Sequence, residues 1–241
     1  MLTFVVTALL VACGGNNDSD ENASENNTGG DVEETDNEAS LEGTITMAGS
    51  TSVQPLSEEL AAAFMEKHPN ARLEVSGGGS GAGVTAAQEN AADFGAVSRE
   101  IKEDETGIDE YVIAIDGIAI VVHPDNPVSD LPLEEVTKIF TGEITNWSEV
   151  GGDDQEIVVV SREDGSGTRG AFTDIVLGDA ELTESALIHN STGGILEAVA
   201  NDPNAIGYAS LGSMYDNVKG LAIDGAEPTE ENIKSGDYSV S

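Results

Sequence analysis

Basic residues are scarce in this chain: nine lysines and arginines stand against 46 aspartates and glutamates in 241 residues, a formal charge of −37. So few cations cannot neutralise a phosphodiester backbone, which excludes nucleic acid as a partner, and adhesion to anionic lipid through charge is excluded with it. Acidity spread along the chain instead keeps a protein soluble where salt screens over short distances. Cysteine occurs once, at Cys13, so no internal disulfide can form. No apolar run approaches the roughly 20 residues that span a bilayer as a helix. The longest, Tyr111 to Val122, is broken by Asp116-Gly117 and reads as a buried strand crossing between two parts of the molecule. Only His68, His123 and His189 are present, and no HxxE or HExxH pattern offers a metal site. His123, beside Pro124, reads as structural, and neither metal nor cofactor is expected.

What the N-terminus does have is a short apolar run, Met1 to Val11, closing on Leu10-Val11-Ala12-Cys13. Small residues just before a cysteine mark a processing signal. The pattern resembles the lipobox of bacterial lipoproteins, which implies a signal peptide over residues 1–13 and lipidation of Cys13. No base precedes the run, so the true signal is expected to begin upstream. Residues 14–42 carry ten acids and no base; such a segment cannot bury enough surface to order itself and reads as a disordered acidic tether.

The body of the chain repeats one local pattern. Ile157-Val158-Val159-Val160 reads as a buried strand, Arg162-Glu163-Asp164-Gly165-Ser166-Gly167-Thr168-Arg169 follows, and Ala171-Phe172 with Ile175-Val176 have helical spacing. A helix start offers free amides and the positive end of a dipole. Ser166 and Thr168 add hydroxyl donors, Gly167 lets the backbone come close, and Arg162 offers a planar fork. Taken alone, the stretch also reads as a capped helix with a surface ion pair.

Three more strands end in polar turns. Thr44 to Ala48 leads to Gly49-Ser50-Thr51-Ser52 and a helix carrying Val53, Leu56, Leu60 and Phe64. Arg72 to Val75 leads to the glycine loop Ser76 to Gly83, and Asp93 to Val97 leads to Ser98-Arg99. The glycine loop lacks the lysine of a P-loop and the last glycine of a GxSxG elbow, and its GxGxxG match is cheap among so many glycines. Arg99 serves either as an anion ligand or as the partner of a nearby carboxylate. Further on, Leu133 to Phe140 reads as a helix, Trp147 as a loop anchor, and Ser191-Thr192-Gly193-Gly194 as the start of another helix before the strand Asn204 to Ala209. Strands alternating with helices imply α/β layers, with ligands outside the carboxyl ends of strands.

These stretches, together with Ile139 to Trp147 and Ala205 to Tyr208, resemble the phosphate-binding proteins of bacterial ABC phosphate importers. The likeness runs from about Thr44 to the end, and Arg162 to Arg169 is its most specific part. It implies an α/β, two-lobed periplasmic-binding-protein fold of type II, each lobe a sheet flanked by helices, the two joined by crossover strands. Residues 43–116 with 205–241 would form one lobe and 117–204 the other. The resemblance makes Thr51, Ser52, Ser80, Ser98, Arg99, Arg162, Ser166, Gly167 and Thr168 phosphate ligands, and Asp164 the acid that orients Arg162. Arg169, past the donors, is expected to be peripheral. Described members carry an aspartate where Ser98 stands, which accepts the proton of hydrogen phosphate and rejects sulfate; Asp164 is the expected substitute. Members also continue beyond Tyr238 with a further strand and helix, so the resemblance implies a truncated first lobe.

The implied function is a monomeric, lipid-anchored protein on the outer face of the cytoplasmic membrane that captures inorganic phosphate and delivers it to the permease subunits of an ABC importer. It is not expected to be an enzyme. The alternatives are a binding protein for sulfate or molybdate, a secreted phosphatase, which would need a nucleophile with a base, and a structural or adhesive lipoprotein.

Overall fold

A parallel ladder opens the described part of the chain, residues 41–240 of a computed structural model; Cys13, the signal peptide and the tether as far as residue 40 lie outside it. Strand β1 (Gly43–Gly49) is followed by helix α1 (Gln54–Lys67), β2 (Ala71–Gly77), α2 (Ser80–Gln88) and β3 (Phe94–Ala96). The strands lie in the order β2-β1-β3, all parallel, as helical crossovers require. Pro55 occupies the first turn of α1, and the helix stops at His68 before Pro69. It seats through Ser57 and Ala61, while Leu56 and Leu60 of the expected stripe stand 38 and 53 % exposed. Helix α2 begins at Ser80, inside the glycine loop, and runs hard against β1. A Cβ at Gly83 would lie 2.6 Å from the Ala96 carbonyl oxygen and 2.9 Å from that of Ala48.

The second sheet is built on β4 (Ile118–Val122), every residue of which is buried. The chain continues through β5 (Asp130–Leu131), α3 (Leu133–Thr141), β6 (Val158–Arg162), α4 (Gly167–Phe172), β7 (Leu187–His189), α5 (Thr192–Asn201), β8 (Ala205–Ser210), β9 (Lys219–Gly220), β10 (Ala222–Ile223) and α6 (Glu230–Ser235), with β5 and β10 paired parallel as a small sheet of their own. The order is β7-β6-β8-β4-β9; β6 runs parallel to β7 and β8, and β4 antiparallel to β8 and β9. Alternation divides β4 between two cores. Ile118, Ile120 and Val122 face Phe140, Trp147, Phe172 and Tyr208, whereas Ala119 and Val121 face Val160, Ile195 and Val199 of the layer that α5 covers. Helix α3 ends on Gly142 in the left-handed region, and Trp147 is buried with its indole N–H on the Asn204 carbonyl at 3.0 Å, the anchor its loop position suggested.

Two expectations are corrected. The apolar run breaks at Gly117: only Ile118–Val122 is strand, and Tyr111 to Ile115 is exposed and outside any ladder. The division into 43–116 with 205–241 does not describe the packing either. β8 pairs with β4 and β6, and Tyr238 and Val240 lie in the core of Ile120 and Trp147, so residues 205–240 belong with the second sheet. Hydrophobic burial decides this: the Tyr238 hydroxyl takes the Ile120 amide and reaches the Leu221 carbonyl, both at 3.3 Å, and burial pushes its phenol up to about 12.

Candidate functional site

Five strand and helix ends bring their hydroxyls to one place. After β1, the Ser50 hydroxyl donates to Ser98 Oγ at 2.9 Å and accepts the Ser52 amide at 3.2 Å. At the start of α2, Ser80 is fully buried; its Oγ accepts the Ser98 amide at 3.1 Å and lies 3.3 Å from Ser98 Oγ. Opposite them stand the ends of β6, α4 and α5. Ser52 Oγ lies 2.7 Å from Thr168 Oγ1 and 3.0 Å from Thr192 Oγ1, and Thr51 Oγ1 accepts the Thr192 amide at 3.0 Å. The Gly81 amide donates to the Gly165 carbonyl at 3.0 Å. The two walls therefore touch, and Gly167 is what lets them: a Cβ there would sit 2.3 Å from Ser80 Oγ and 2.7 Å from Ser98 Oγ.

Arg162 supplies the charge. It ends β6 with its backbone amide on the Tyr208 hydroxyl at 3.2 Å, and Tyr208 is stacked on Phe172 at 4.0 Å. Burial pushes the Tyr208 phenol up, so that hydroxyl stays protonated. The Arg162 side chain is 2 % exposed. Its Nε and Nη2 both donate to Glu163 at 2.9 Å, and Nη1 donates to Thr192 Oγ1 at 3.1 Å. A side-on carboxylate of this kind fixes the guanidinium plane and leaves the far edge facing the hydroxyl cluster. The α4 start completes this wall. Ser166 caps the helix by accepting the Arg169 amide at 3.2 Å, which leaves the amides of Gly167 and Thr168 without intrahelical acceptors. The helix passes from Phe172 into a wider turn, Thr173–Leu177, without a break.

Of the expected ligands, Thr51, Ser52, Ser80, Ser98, Arg162, Gly167 and Thr168 are brought together, and Ser166 is beside them as the cap. Arg99 and Asp164 are not. The Arg99 guanidinium donates to both Glu105 oxygens, at 2.8 and 2.6 Å, and to the Glu100 carbonyl at 2.8 Å. The Glu105 carboxyl falls to about 2, chiefly because Arg99 hydrogen-bonds it. Arg99 is thus the ion-pair partner that its other reading allowed. Asp164, 94 % exposed, pairs with Arg169 at 2.8 Å, not with Arg162; Glu163 holds that place because its carboxylate reaches both Nε and Nη2. Arg169, expected to be peripheral, also donates through Nη1 to the Arg162 carbonyl at 2.8 Å. Sequence reasoning missed Ser50, Thr192 and Glu163. The Ser191-Thr192-Gly193-Gly194 helix start was the available signal for Thr192, and Glu163 stands next to the arginine it holds.

Buried hydroxyls, helix-start amides and one guanidinium fixed by Glu163 suit a compact oxyanion. A PBP superfamily domain matches residues 34–241. The phosphate-binding protein PstS of Bacillus subtilis (strain 168) is 36 % identical over the whole of this chain and 78 % of its own length. A phosphate ABC transporter substrate-binding protein of Clostridium perfringens, solved with bound phosphate, is 45 % identical over 82 % of this chain and 83 % of that one, with a TM-score of 0.80. An ABC-type phosphate transport receptor of Vibrio cholerae is 37 % identical over 81 % of this chain and 83 % of that one, with a TM-score of 0.64. The cleft and these likenesses agree: this chain belongs to the PBP superfamily and, within it, to the family of the PstS phosphate-binding proteins.

Proposed function

We propose that this protein captures inorganic phosphate between Ser50, Thr51, Ser52, Ser80 and Ser98 on one wall and Arg162, Gly167, Thr168 and Thr192 on the other, and hands it to the membrane subunits of an ABC importer. The observation that carries the proposal is the buried Arg162, held side-on by Glu163 and bonded to Thr192, whose hydroxyl lies among those of Thr51 and Ser52 from another element. Binding works by exchange: hydroxyls that now bond one another turn to the anion, and the amides of Gly167 and Thr168 meet it at the positive end of α4. Micromolar affinity needs about −8 kcal/mol, which several charge-assisted hydrogen bonds supply after the cost of ordering the walls. Sulfate and molybdate would use the same donors and are the competitors to test. A phosphatase would need a base poised on a nucleophilic hydroxyl; the cleft hydroxyls here have other hydroxyls, an arginine and backbone amides as partners, and the relatives are binding proteins. The reading includes residence outside the cytoplasm, lipid anchoring through Cys13 and action as a monomer.

Titration calorimetry with phosphate, sulfate and molybdate tests the proposal. One phosphate site per chain, with the other anions weaker, is the expected result; binding of sulfate or molybdate in the absence of phosphate binding would overturn it. Cys13→Ser should release the protein from the membrane fraction into the medium if Cys13 carries the anchor.

A further inference from the structure

The ladder between β6 and β8 stops short of the site. Val158 pairs with Ala205 and Val159 with Ile206, and among the described residues no pairing of these two strands follows. On its other side β6 stays in register with β7 as far as Arg162 and His189. The Glu163 amide turns to β7 and donates to the His189 carbonyl at 3.2 Å. The Arg162 amide turns the other way, towards β8, beyond the last paired residues, and a buried amide left without an acceptor is costly. The Tyr208 hydroxyl stands in for the missing ladder carbonyl: it accepts the Arg162 amide at 3.2 Å and lies 2.8 Å from Ser161 Oγ.

Tyr208 itself has little freedom. It is fully buried, and its backbone is paired with Ile120 of β4. Next to it Gly207 lies close under α5, where a Cβ would come within 3.0 Å of Ile195 Cγ2 and 3.2 Å of Val199 Cγ2. The Tyr208 ring is stacked on Phe172 with centroids 4.0 Å apart and planes 5° from parallel, and Phe140 stands tilted 5.8 Å away. Phe172 is the last residue of α4, whose first amides face the cleft. One side chain of β8 therefore holds both parts of the anion wall, the arginine's backbone through its hydroxyl and the helix through its ring. We propose that Tyr208 is a positioning residue for the anion site, its hydroxyl setting the backbone of Arg162 at the unpaired end of β6 and its ring setting α4 against that strand. With its hydroxyl engaged by the Arg162 amide and Ser161, it acts through Arg162 and not on the anion. A donor fork works only when it is held to within about 0.5 Å, so releasing its backbone shows in affinity. The inference rests on the reading that the cleft holds phosphate.

The test compares Tyr208→Phe with Tyr238→Phe in the full chain. Each removes a buried hydroxyl that accepts a backbone amide; that of Tyr238 lies on the β9 side of β4, where it serves Ile120 and Leu221. Both variants should melt at lower temperature than the unaltered chain. Only Tyr208→Phe should lose phosphate affinity, by about ten-fold, through faster dissociation, and only there should the Arg162 amide exchange faster with solvent. Unchanged affinity in Tyr208→Phe overturns the proposal. An equal loss in Tyr238→Phe overturns it too, because the effect would then be one of general stability. Repeating the comparison with sulfate and molybdate separates the proposal from the choice of ligand. If one of these binds and phosphate does not, the phosphate reading falls, while a loss for that anion in Tyr208→Phe alone sustains the role of Tyr208; binding of none of the three overturns both.

Discussion

A guanidinium that is 2 % exposed must have its charge and its N–H groups matched, and in this cleft Arg162 is matched from two sides: Glu163 takes Nε and Nη2, and Thr192 takes Nη1. Losing the carboxylate leaves a buried charge half-answered. Glu163→Gln should therefore lower stability by about 2–3 kcal/mol and phosphate affinity by about ten-fold, measured by denaturant unfolding and calorimetry. In an Arg162→Gln background the affinity effect should vanish, because there is no plane left to hold. Asp164→Asn removes an acid that is 94 % exposed and paired with Arg169; exposed pairs contribute about 0–1 kcal/mol, so its effect should be under about two-fold. A larger loss from Asp164→Asn than from Glu163→Gln would reverse this assignment.

At the scale of elements, the cleft is set by how closely the start of α4 approaches the ends of β3 and α2. Gly167 is the point of contact, since a methyl there meets Ser80 Oγ and Ser98 Oγ inside van der Waals distance. Gly167→Ala should weaken phosphate binding by about ten-fold or more, whereas Gly165→Ala, with nothing within 4 Å, should leave it unchanged. Equal effects of the two would show that this approach does not shape the site. The turn beyond β3 is held by the Arg99–Glu105 pair, and its pH dependence has a definite sign. The Glu105 carboxyl lies at about 2, below its usual 4.5, so the folded state favours the charged form. The stabilisation is complete above pH 4.5 and is lost as the pH falls towards 2. The difference in melting temperature between the unaltered chain and Glu105→Gln should be constant near neutrality and shrink to nothing across that window.

For the whole molecule, a formal charge of −37 repels the anion that the cleft is proposed to bind. The donors act only at contact, while the repulsion acts over the Debye length, about 30 Å at 0.01 M salt and 3 Å at 1 M. The association rate of phosphate should therefore rise with added salt over that range in stopped-flow measurements. A falling rate would show that the field of Arg162 and Arg169 dominates the approach.

The sequence by itself determined the α/β alternation, the positions of most strands and helices, and the grouping of hydroxyls, glycines and Arg162 at strand ends, because each follows from period, turn chemistry and helix starts within a few residues of chain. Ser98, Arg162, Gly167 and Thr168 could be placed at strand and helix ends for that reason, whereas Thr51, Ser52 and Ser80 were singled out as ligands through the family resemblance. Only the tertiary structure decided which charges pair. Glu163 and Asp164 are neighbours, both within reach of an arginine, and the choice depends on where Arg162 and Arg169 lie once β6 and α4 are packed. It likewise decided that Thr192, distant in sequence from Thr51, meets it, and that residues 205–240 pack with β4 and β6. The apolar run Tyr111 to Val122 shows the same limit. Hydrophobicity is continuous across most of it, yet burial stops at Gly117, because burial needs a second surface and the described chain brings one only to Ile118 and beyond.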